Sequence, residues 1–195
     1  MADPKADLHA VLQRGRDALL WKLDGLSEHD VRRPLVPSGT NLLGLVTHLT
    51  GVELGYVAET FGRPFDDPPW WFPDSDEPNV DMWARPEESR AEVVDRYRRV
   101  CAHSDEVIRS LPLDAVAEIP QWPPERRRVT LHQVLVHVIA ETHRHAGHAD
   151  LVRELIDGAV GLQRDTTNLP AGLVWQAHRQ RVEDAARQAA ERDRG

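Results

Sequence analysis

Lysine, cysteine and long apolar runs are scarce in this 195-residue chain. The scarcity of cysteine excludes one kind of metal site, and the lack of long apolar runs argues against a membrane-spanning protein. Lys5 and Lys22 are the only lysines, so arginine supplies almost all of the positive charge. Cys101 is the only cysteine, which excludes a disulfide within the chain and a zinc site built from several thiolates. We expect Cys101 to be a small buried residue in a helix.

An excess of acidic residues further narrows the range of partners. The chain has 32 Asp and Glu against 24 Lys and Arg, which gives a formal net charge of −8. Nucleic-acid binders are usually basic or carry a basic stripe, so this balance argues against a nucleic-acid partner, and the short run 126–128 of arginines is predicted to be a solvated loop. No apolar run approaches the roughly 18 residues of a membrane span, and the polar start MADPKADLHA is unlike a signal peptide. We therefore expect a cytoplasmic protein without a membrane partner.

Strand patterns are nearly absent, and apolar periodicity predicts an all-α protein. Apolar residues recur at helical spacing over about 7–26, 41–61, 86–111, 131–157 and 172–190. Two long proline-containing loops connect the second helix to the third and the third to the fourth. This pattern predicts a four-helix bundle with long crossover loops plus a C-terminal helix, in a single domain with a core of about 7–161.

Local signals mark some of the helix boundaries. Thr130 and Gln133 have the spacing of a capping box at the start of the fourth helix, and Gly158 follows its last apolar residue. Pro86 suits the first turn of the third helix. Gly51 and Gly55, four residues apart on the second helix, allow another segment to pack closely there.

Histidine, by contrast, is concentrated in one segment: five of the ten histidines lie between His132 and His148. Within it, Glu141 and His145 are four residues apart, which on a helix places both side chains on one face, one turn apart. That face coincides with the apolar stripe of the helix, and a carboxylate in a core is costly unless a positive group pairs with it. The pair is therefore a metal-site candidate that needs a ligand from another helix.

His48 is the candidate for that further ligand. It lies beside the apolar stripe of the second helix, so it can meet Glu141 and His145 across the core of a bundle. Two imidazoles and one carboxylate suit zinc, nickel or iron, and three protein ligands leave a position open for water or substrate. The alternative is that His48 and His145 are core histidines bonded to the backbone or to Glu141.

Two stretches, NLLGLVTHLTGVELGY and HVIAETHRHAGHADLVRELIDG, carry a resemblance to a known family. They resemble the DinB-like superfamily of bacterial four-helix-bundle metalloproteins, and most of all its actinobacterial branch of mycothiol S-transferases and maleylpyruvate isomerase. The resemblance covers roughly residues 8–161 and implies that His48, Glu141 and His145 are metal ligands. Many relatives have histidine at the position of Glu141, whereas the isomerase-like branch has glutamate there.

The resemblance also implies an activity. One divalent metal, zinc before nickel or iron, would activate a low-molecular-weight thiol, with mycothiol as the cosubstrate, for attack on an electrophilic small molecule. Coordination to a metal favours the thiolate, which is the nucleophile, so no cysteine of the protein is required. The protein is expected to be a monomer or a homodimer.

Further residues are candidates for the surroundings of the metal. His137 is interpreted as a residue behind the ligands or in the core, and His148 as part of the rim of the pocket. Arg144 could meet a carboxylate of the cosubstrate, with an ordinary surface arginine as the alternative. His132 and His143 fall on other faces and are expected to be solvated. The remaining candidates for an acceptor pocket are aromatic, with ordinary packing as their alternative: Tyr56, Trp70, Trp71 and Trp83.

Two other functions stay open at this point. Thiol-independent hydrolysis could occur at the same metal. A non-enzymatic bundle could instead bind a ligand or a partner, with a structural metal or none. In that case the tryptophan-rich loop and the polar C-terminal helix would form the interaction surface.

Overall fold

The computed structural model describes residues 3–73, 75–164, 166–170 and 172–193. In these residues the chain forms six α-helices and one short antiparallel hairpin: α1 (Pro4–Trp21), α2 (Glu28–Arg32), α3 (Leu42–Val52), α4 (Arg90–Ser110), β1 (Val116–Glu118), β2 (Arg128–Thr130), α5 (Leu131–Asp157) and α6 (Trp175–Arg192). α3 continues as a π turn (Glu53–Ala58) and a 3₁₀ turn (Glu59–Phe61). A second 3₁₀ turn (Val80–Met82) lies in the loop before α4.

The helices α1, α3, α4 and α5 form a four-helix bundle, which confirms the predicted fold class. α1 packs against α5, and α3 packs against both α4 and α5. Each fully buried aliphatic side chain contributes about 1.5–3 kcal/mol to folding. The core takes apolar side chains from all four helices, among them Leu12, Leu19, Leu45, Leu49, Val93, Tyr97, Val134 and Val138.

The ends of α4 and α5 follow from local hydrogen bonds. The Thr130 side chain accepts from the backbone N–H of Gln133, the Gln133 side chain accepts from the backbone N–H of Thr130, and Gly158 ends α5 with a φ of 77°. The predicted bounds of α5 are thus confirmed. The third predicted helix begins at Arg90, not at Pro86, because Ser89 and Glu92 form a capping box there.

The second predicted helix is regular only as far as Val52, since the π turn that follows it changes the phase of the later residues. The close packing expected on its glycines is seen at Gly51, where a Cβ atom would lie 2.8 Å from the Cη2 atom of Trp71. A segment of the loop after α3, and not another helix, therefore uses this space.

The π turn carries Glu53, which forms a buried ion pair with Arg16 of α1. The Nε and Nη2 atoms of Arg16 donate to the two Glu53 oxygens at 2.8 and 2.9 Å, and Nη1 donates to Asp105 at 2.7 Å. Burial lowers the pKa of Arg16, but the charges around it, Glu53 first, and its hydrogen bonds to Glu53 and Asp105 together raise it by more, so the pKa lies above its ordinary value. Together with Asp105, this pair joins α1, the π turn after α3, and α4. It was not predicted from the sequence.

The C-terminal helix was predicted from about residue 172, and α6 begins at Trp175. Among its residues none is buried, so it is a polar helix on the surface. In the described part of the chain, helices that combine the length and the apolar character needed to cross a membrane are not found.

Candidate metal centre

His48 of α3 and the pair Glu141 and His145 of α5 meet where the two helices pack. One ligand atom from each of the three residues lies within 4.8 Å of the others. The Nε2 atom of His145 is 3.4 Å from the Oε2 atom of Glu141, and the two imidazole rings are 4.6 Å apart in an edge-to-face arrangement. Ligands of a tetrahedral ion with bonds of about 2.1 Å lie about 3.4 Å apart, so small rotations suffice to bring the three onto one ion.

The cluster lies at the edge of the core. The exposed fractions of the side chains are 11% for His145, 23% for His48 and 32% for Glu141. Its neighbours Thr142 and Ala149 on α5 are buried, so the helix fixes one side of the site while the other side faces solvent. A small molecule can therefore reach the three ligand atoms without unfolding of the bundle.

Asp81, which the sequence analysis missed, fixes the orientation of His48. The Nδ1 atom of His48 is 2.6 Å from the Oδ2 atom of Asp81. The hydrogen bond from His48 lowers the pKa of Asp81, which is therefore ionised and can only accept. The Nδ1 atom must then carry the proton, and the lone pair of a neutral ring is left on Nε2, the form that binds a metal.

The position of Asp81 depends on contacts of the neighbouring residue Met82. Asn41 caps α3 by accepting from the N–H of Gly44 at 2.8 Å, and its amide nitrogen donates to the carbonyl oxygen of Met82 at 3.2 Å. A Cβ atom at Gly44 would lie 1.9 Å from that carbonyl oxygen, so only glycine permits this approach. Asn41 and Gly44 thus dock the 3₁₀ turn beside His48. Asp81 is one of several acidic residues in a long loop, and nothing in the local sequence separated it from the others.

The imidazole of His145 is held in its neutral form. Burial first, and then the charge of the neighbouring His48, lower its pKa to about 4, although the charge of Glu141 opposes them. The Nδ1 atom of His145 lies 3.3 Å from the Nδ1 atom of His148, which leaves Nε2 toward Glu141. His148, predicted at the rim of the pocket, thus touches one of the three clustered side chains.

The predicted neighbours His137 and Tyr56 form the next layer of the bundle. The His137 ring lies 4.4 Å from the ring of Tyr56 and 5.3 Å from that of Trp122. Burial lowers the pKa of His137, so it too is held neutral. His137 lies one helical turn before Glu141, and its ring packs against the two aromatic side chains.

The three predicted loop tryptophans occupy different surroundings. Trp71 is buried against Gly51, one turn beyond His48 on α3. Trp70 and Trp83 are exposed, and the guanidinium group of Arg85 stacks on the Trp70 ring at 3.2 Å. The structure therefore buries Trp71 against α3 and leaves the other two exposed.

Three further residues of the sequence analysis are located by the structure. Arg144 is exposed, and its charge contributes to the lowered pKa of His145. His132 is exposed as expected, but His143 is half-buried, with its Nε2 atom 3.1 Å from the carbonyl oxygen of Val11. The expectation of a solvated His143 is wrong because α1 packs over that face of α5.

Cys101 is buried, as expected from the sequence. Burial raises the pKa of its thiol, and the charge of Glu53 raises it further. A thiol in these surroundings stays protonated and cannot serve as the nucleophile at neutral pH.

Residues 7–158 match the family model described as mycothiol S-transferase. Among curated proteins no relative matches the chain. A similar solved structure is the crystal structure of a conserved protein from Enterococcus faecalis, with a TM-score of 0.62 and 19% identity. The similarity covers 82% of this chain and 100% of that protein, and at this identity it concerns the fold alone.

Proposed function

The chain belongs to the mycothiol S-transferase family, and we propose that it is a divalent-metal-dependent thiol S-transferase. The proposed metal ligands are His48, Glu141 and His145. The observation that carries the proposal is the convergence of three ligand atoms from facing helices at a half-open position. Mycothiol is the proposed thiol, and the acceptor is an electrophilic small molecule.

Among the candidate metals, zinc suits these three donor atoms best. Two imidazole nitrogens and one carboxylate oxygen are common zinc ligands, and three protein ligands leave one position for a substrate. A divalent metal bound there would lower the pKa of a thiol from about 8.5 and hold the thiolate for attack on the acceptor. Nickel and iron accept the same donors, so metal analysis decides among the three.

The surrounding side chains prepare the ligands for this role. Asp81 accepts from Nδ1 of His48 and so presents Nε2. Burial keeps His145 neutral, with His148 against its other ring nitrogen. Because the protein's own thiol is buried and protonated, a thiol nucleophile has to come from a cosubstrate.

Elemental analysis of untagged protein tests the metal site. We expect about one divalent metal per chain in the wild type and a loss of that metal in Glu141→Ala. Glu154→Ala is the matched control, since Glu154 is an exposed glutamate on the same helix. Wild-type protein that stays metal-free after zinc is added would contradict the proposal.

Thiol transfer to monochlorobimane tests the activity. We expect metal-dependent conjugation with mycothiol by the wild type and by Glu154→Ala, and none by Glu141→Ala. Because the open position would also admit water, the same assay without thiol tests hydrolysis as the second candidate function. A metal-loaded protein that is inactive in both assays would favour the reading as a binding protein.

A further inference from the structure

A cavity of about 560 Å³ lies beside the metal centre, between α5 and the loop that joins the two strands. Two residues of α5 show how close it is to the centre. His137 and Ala140 both line the cavity, and they precede Glu141 by four residues and by one residue. Four residues of helix span about 6 Å, so the cavity and the proposed metal ligand are neighbours. Its lining includes Trp122, Arg126, Arg128, His132, Gln133 and His137.

The cavity is basic in a protein with a net charge of −8. Arg126 and Arg128 line it and are both exposed, and one carboxylate, Glu125, lies among the lining residues. The guanidinium group of Arg126 lies 5.4 Å above the ring of Trp122. Arg126 and Arg128 are exposed, as predicted for a solvated loop, and in addition both line the cavity.

The loop that carries these arginines is held in place. The carbonyl oxygen of Arg127 accepts from the N–H of the fully buried Ile119 at 2.9 Å, and the Arg127 side chain donates to the carbonyl oxygen of Trp122 at 3.4 Å. Leu131, at the start of α5, donates its backbone N–H to the carbonyl oxygen of Ala115. The indole of Trp122 and the two guanidinium groups therefore have a fixed framework behind them.

His137 links the cavity to the metal centre. His137 lines the cavity and lies one helical turn before Glu141 on α5. After burial, the charges of Glu141 and Arg126 act on the pKa of His137, so both groups are near its ring. Arg144, one turn beyond Glu141 toward the C-terminus, is exposed but is not one of the residues that line the cavity.

We propose that this cavity binds the electrophilic acceptor, and that the acceptor is a small flat molecule with a carboxylate group. The proposal rests on the proposed S-transferase function. Guanidinium groups recognise carboxylates through paired charge-assisted hydrogen bonds, and an indole face suits a flat apolar body. Apart from its thiol, mycothiol has no ionisable group. The cosubstrate carboxylate considered for Arg144 is therefore not offered by mycothiol, and a carboxylate that pairs with these arginines has to belong to the acceptor.

A matched pair of ligands tests binding without any turnover. The probes are 3-nitrobenzoate and 3-nitrobenzamide, which differ in charge but not in shape, with metal-loaded protein and titration calorimetry as the readout. We expect the wild type to bind the benzoate about tenfold more tightly than the benzamide, the loss associated with one charge-assisted hydrogen bond. The double variant Arg126→Gln/Arg128→Gln should lose that preference and keep its affinity for the benzamide.

Arg179→Gln/Arg181→Gln, which removes two exposed arginines of α6, is the control for the change in net charge and should bind both probes like the wild type. Equal affinity of the wild type for both probes, or unchanged benzoate binding by the double variant, would overturn the proposal.

A second pair, 4-chloro-3-nitrobenzoate and 4-chloro-3-nitrobenzamide, separates this proposal from the function on which it rests. In the reaction a carbon–sulfur bond forms, chloride leaves and the thiol proton passes to the buffer. We expect a lower KM for the benzoate in the wild type and a raised KM, at similar kcat, in the double variant. Conjugation of the benzamide without preference for the benzoate would refute the carboxylate subsite and leave the transferase intact. Arginine-dependent benzoate binding with neither acceptor consumed would refute the transferase and leave the subsite intact.

Discussion

Two clusters of charged and titratable side chains interrupt the apolar core, and they differ in how their charges are satisfied. Arg16 and Glu53 are each 1% exposed, and two hydrogen bonds join a full positive charge to a full negative charge. In the other cluster the carboxylate of Glu141 faces His145, whose pKa of about 4 leaves it neutral at pH 7. In the first cluster the buried charges are paired with each other and closed off from solvent, whereas the second is half-open and has a carboxylate beside the neutral ring of His145.

This difference separates a structural role from a functional one. A buried charge must be paired, and the Arg16–Glu53 cluster meets that requirement within the chain. In the second cluster a divalent cation would supply the missing positive charge, and its three ligand atoms already lie within 4.8 Å of each other. Asp81 adds a second carboxylate behind His48, which strengthens the same need.

The largest expected effect comes from breaking the closed cluster. Arg16→Met leaves Glu53 as an unpaired buried charge, which should cost about 3–5 kcal/mol of unfolding free energy. Urea unfolding measures this loss. Arg187→Gln is the control, because Arg187 of α6 forms an exposed ion pair with Glu183. Its loss should cost less than about 1 kcal/mol. Similar losses in the two variants would contradict the assigned role of the Arg16–Glu53 pair.

The open cluster, by contrast, should make the protein more stable when it binds a metal. Zinc at a hundredfold excess over its dissociation constant should stabilise the wild type by about 2.7 kcal/mol, because it binds the folded state alone. Glu141→Gln lacks a ligand and should gain far less, while in the presence of a chelator its stability should stay within about 1 kcal/mol of the wild type. Thermal unfolding with and without zinc provides the comparison. An equal gain in both proteins would place the metal elsewhere.

Asp81 allows a finer test of the open cluster. Asp81→Ala should weaken zinc binding by about 10–100-fold, because His48 loses the group that fixes its tautomer and orientation. Asp81→Asn should lose less, since the amide oxygen still accepts from Nδ1. Competition with a chelator gives the affinities, and nitrogen NMR of His48 in the metal-free protein reports the tautomer.

Two further variants accompany this test. Glu77→Ala, an exposed acid in the same loop, should match the wild type. Gly44→Ala should resemble Asp81→Ala, because a Cβ atom there displaces Met82 and with it Asp81. Wild-type affinity and tautomer in Asp81→Ala would refute the positioning role.

The sequence predicted what depends on local periodicity and failed where distant segments meet. The capping box at Thr130 and the i, i+4 spacing of Glu141 and His145 are local, so α5 and its pair of candidate ligands could be predicted. His48 could be added because helix faces in a bundle converge. Asp81 is 33 residues from His48, and Arg16 is 37 residues from Glu53, so neither contact leaves a periodic trace.

An ion pair at the end of α5 joins a buried arginine to a partly exposed carboxylate and gives the smallest expected effect. Asp157 accepts two hydrogen bonds from the buried Arg153, and its side chain is 36% exposed. The hydrogen bonds from Arg153 lower the pKa of Asp157 below its ordinary value. Because the folded-state pKa is the lower one, the pair stabilises the fold above a pH of about 4, and this contribution disappears as the pH falls through the lowered pKa. Solvent screening limits this contribution to less than about 1 kcal/mol.

Asp157→Asn should therefore be slightly less stable than the wild type at pH 6 and equally stable at a pH of about 2, as measured by urea unfolding. A difference that persists at the lower pH would show that the side chain acts through its shape and its bond to Ala159, and not through its charge.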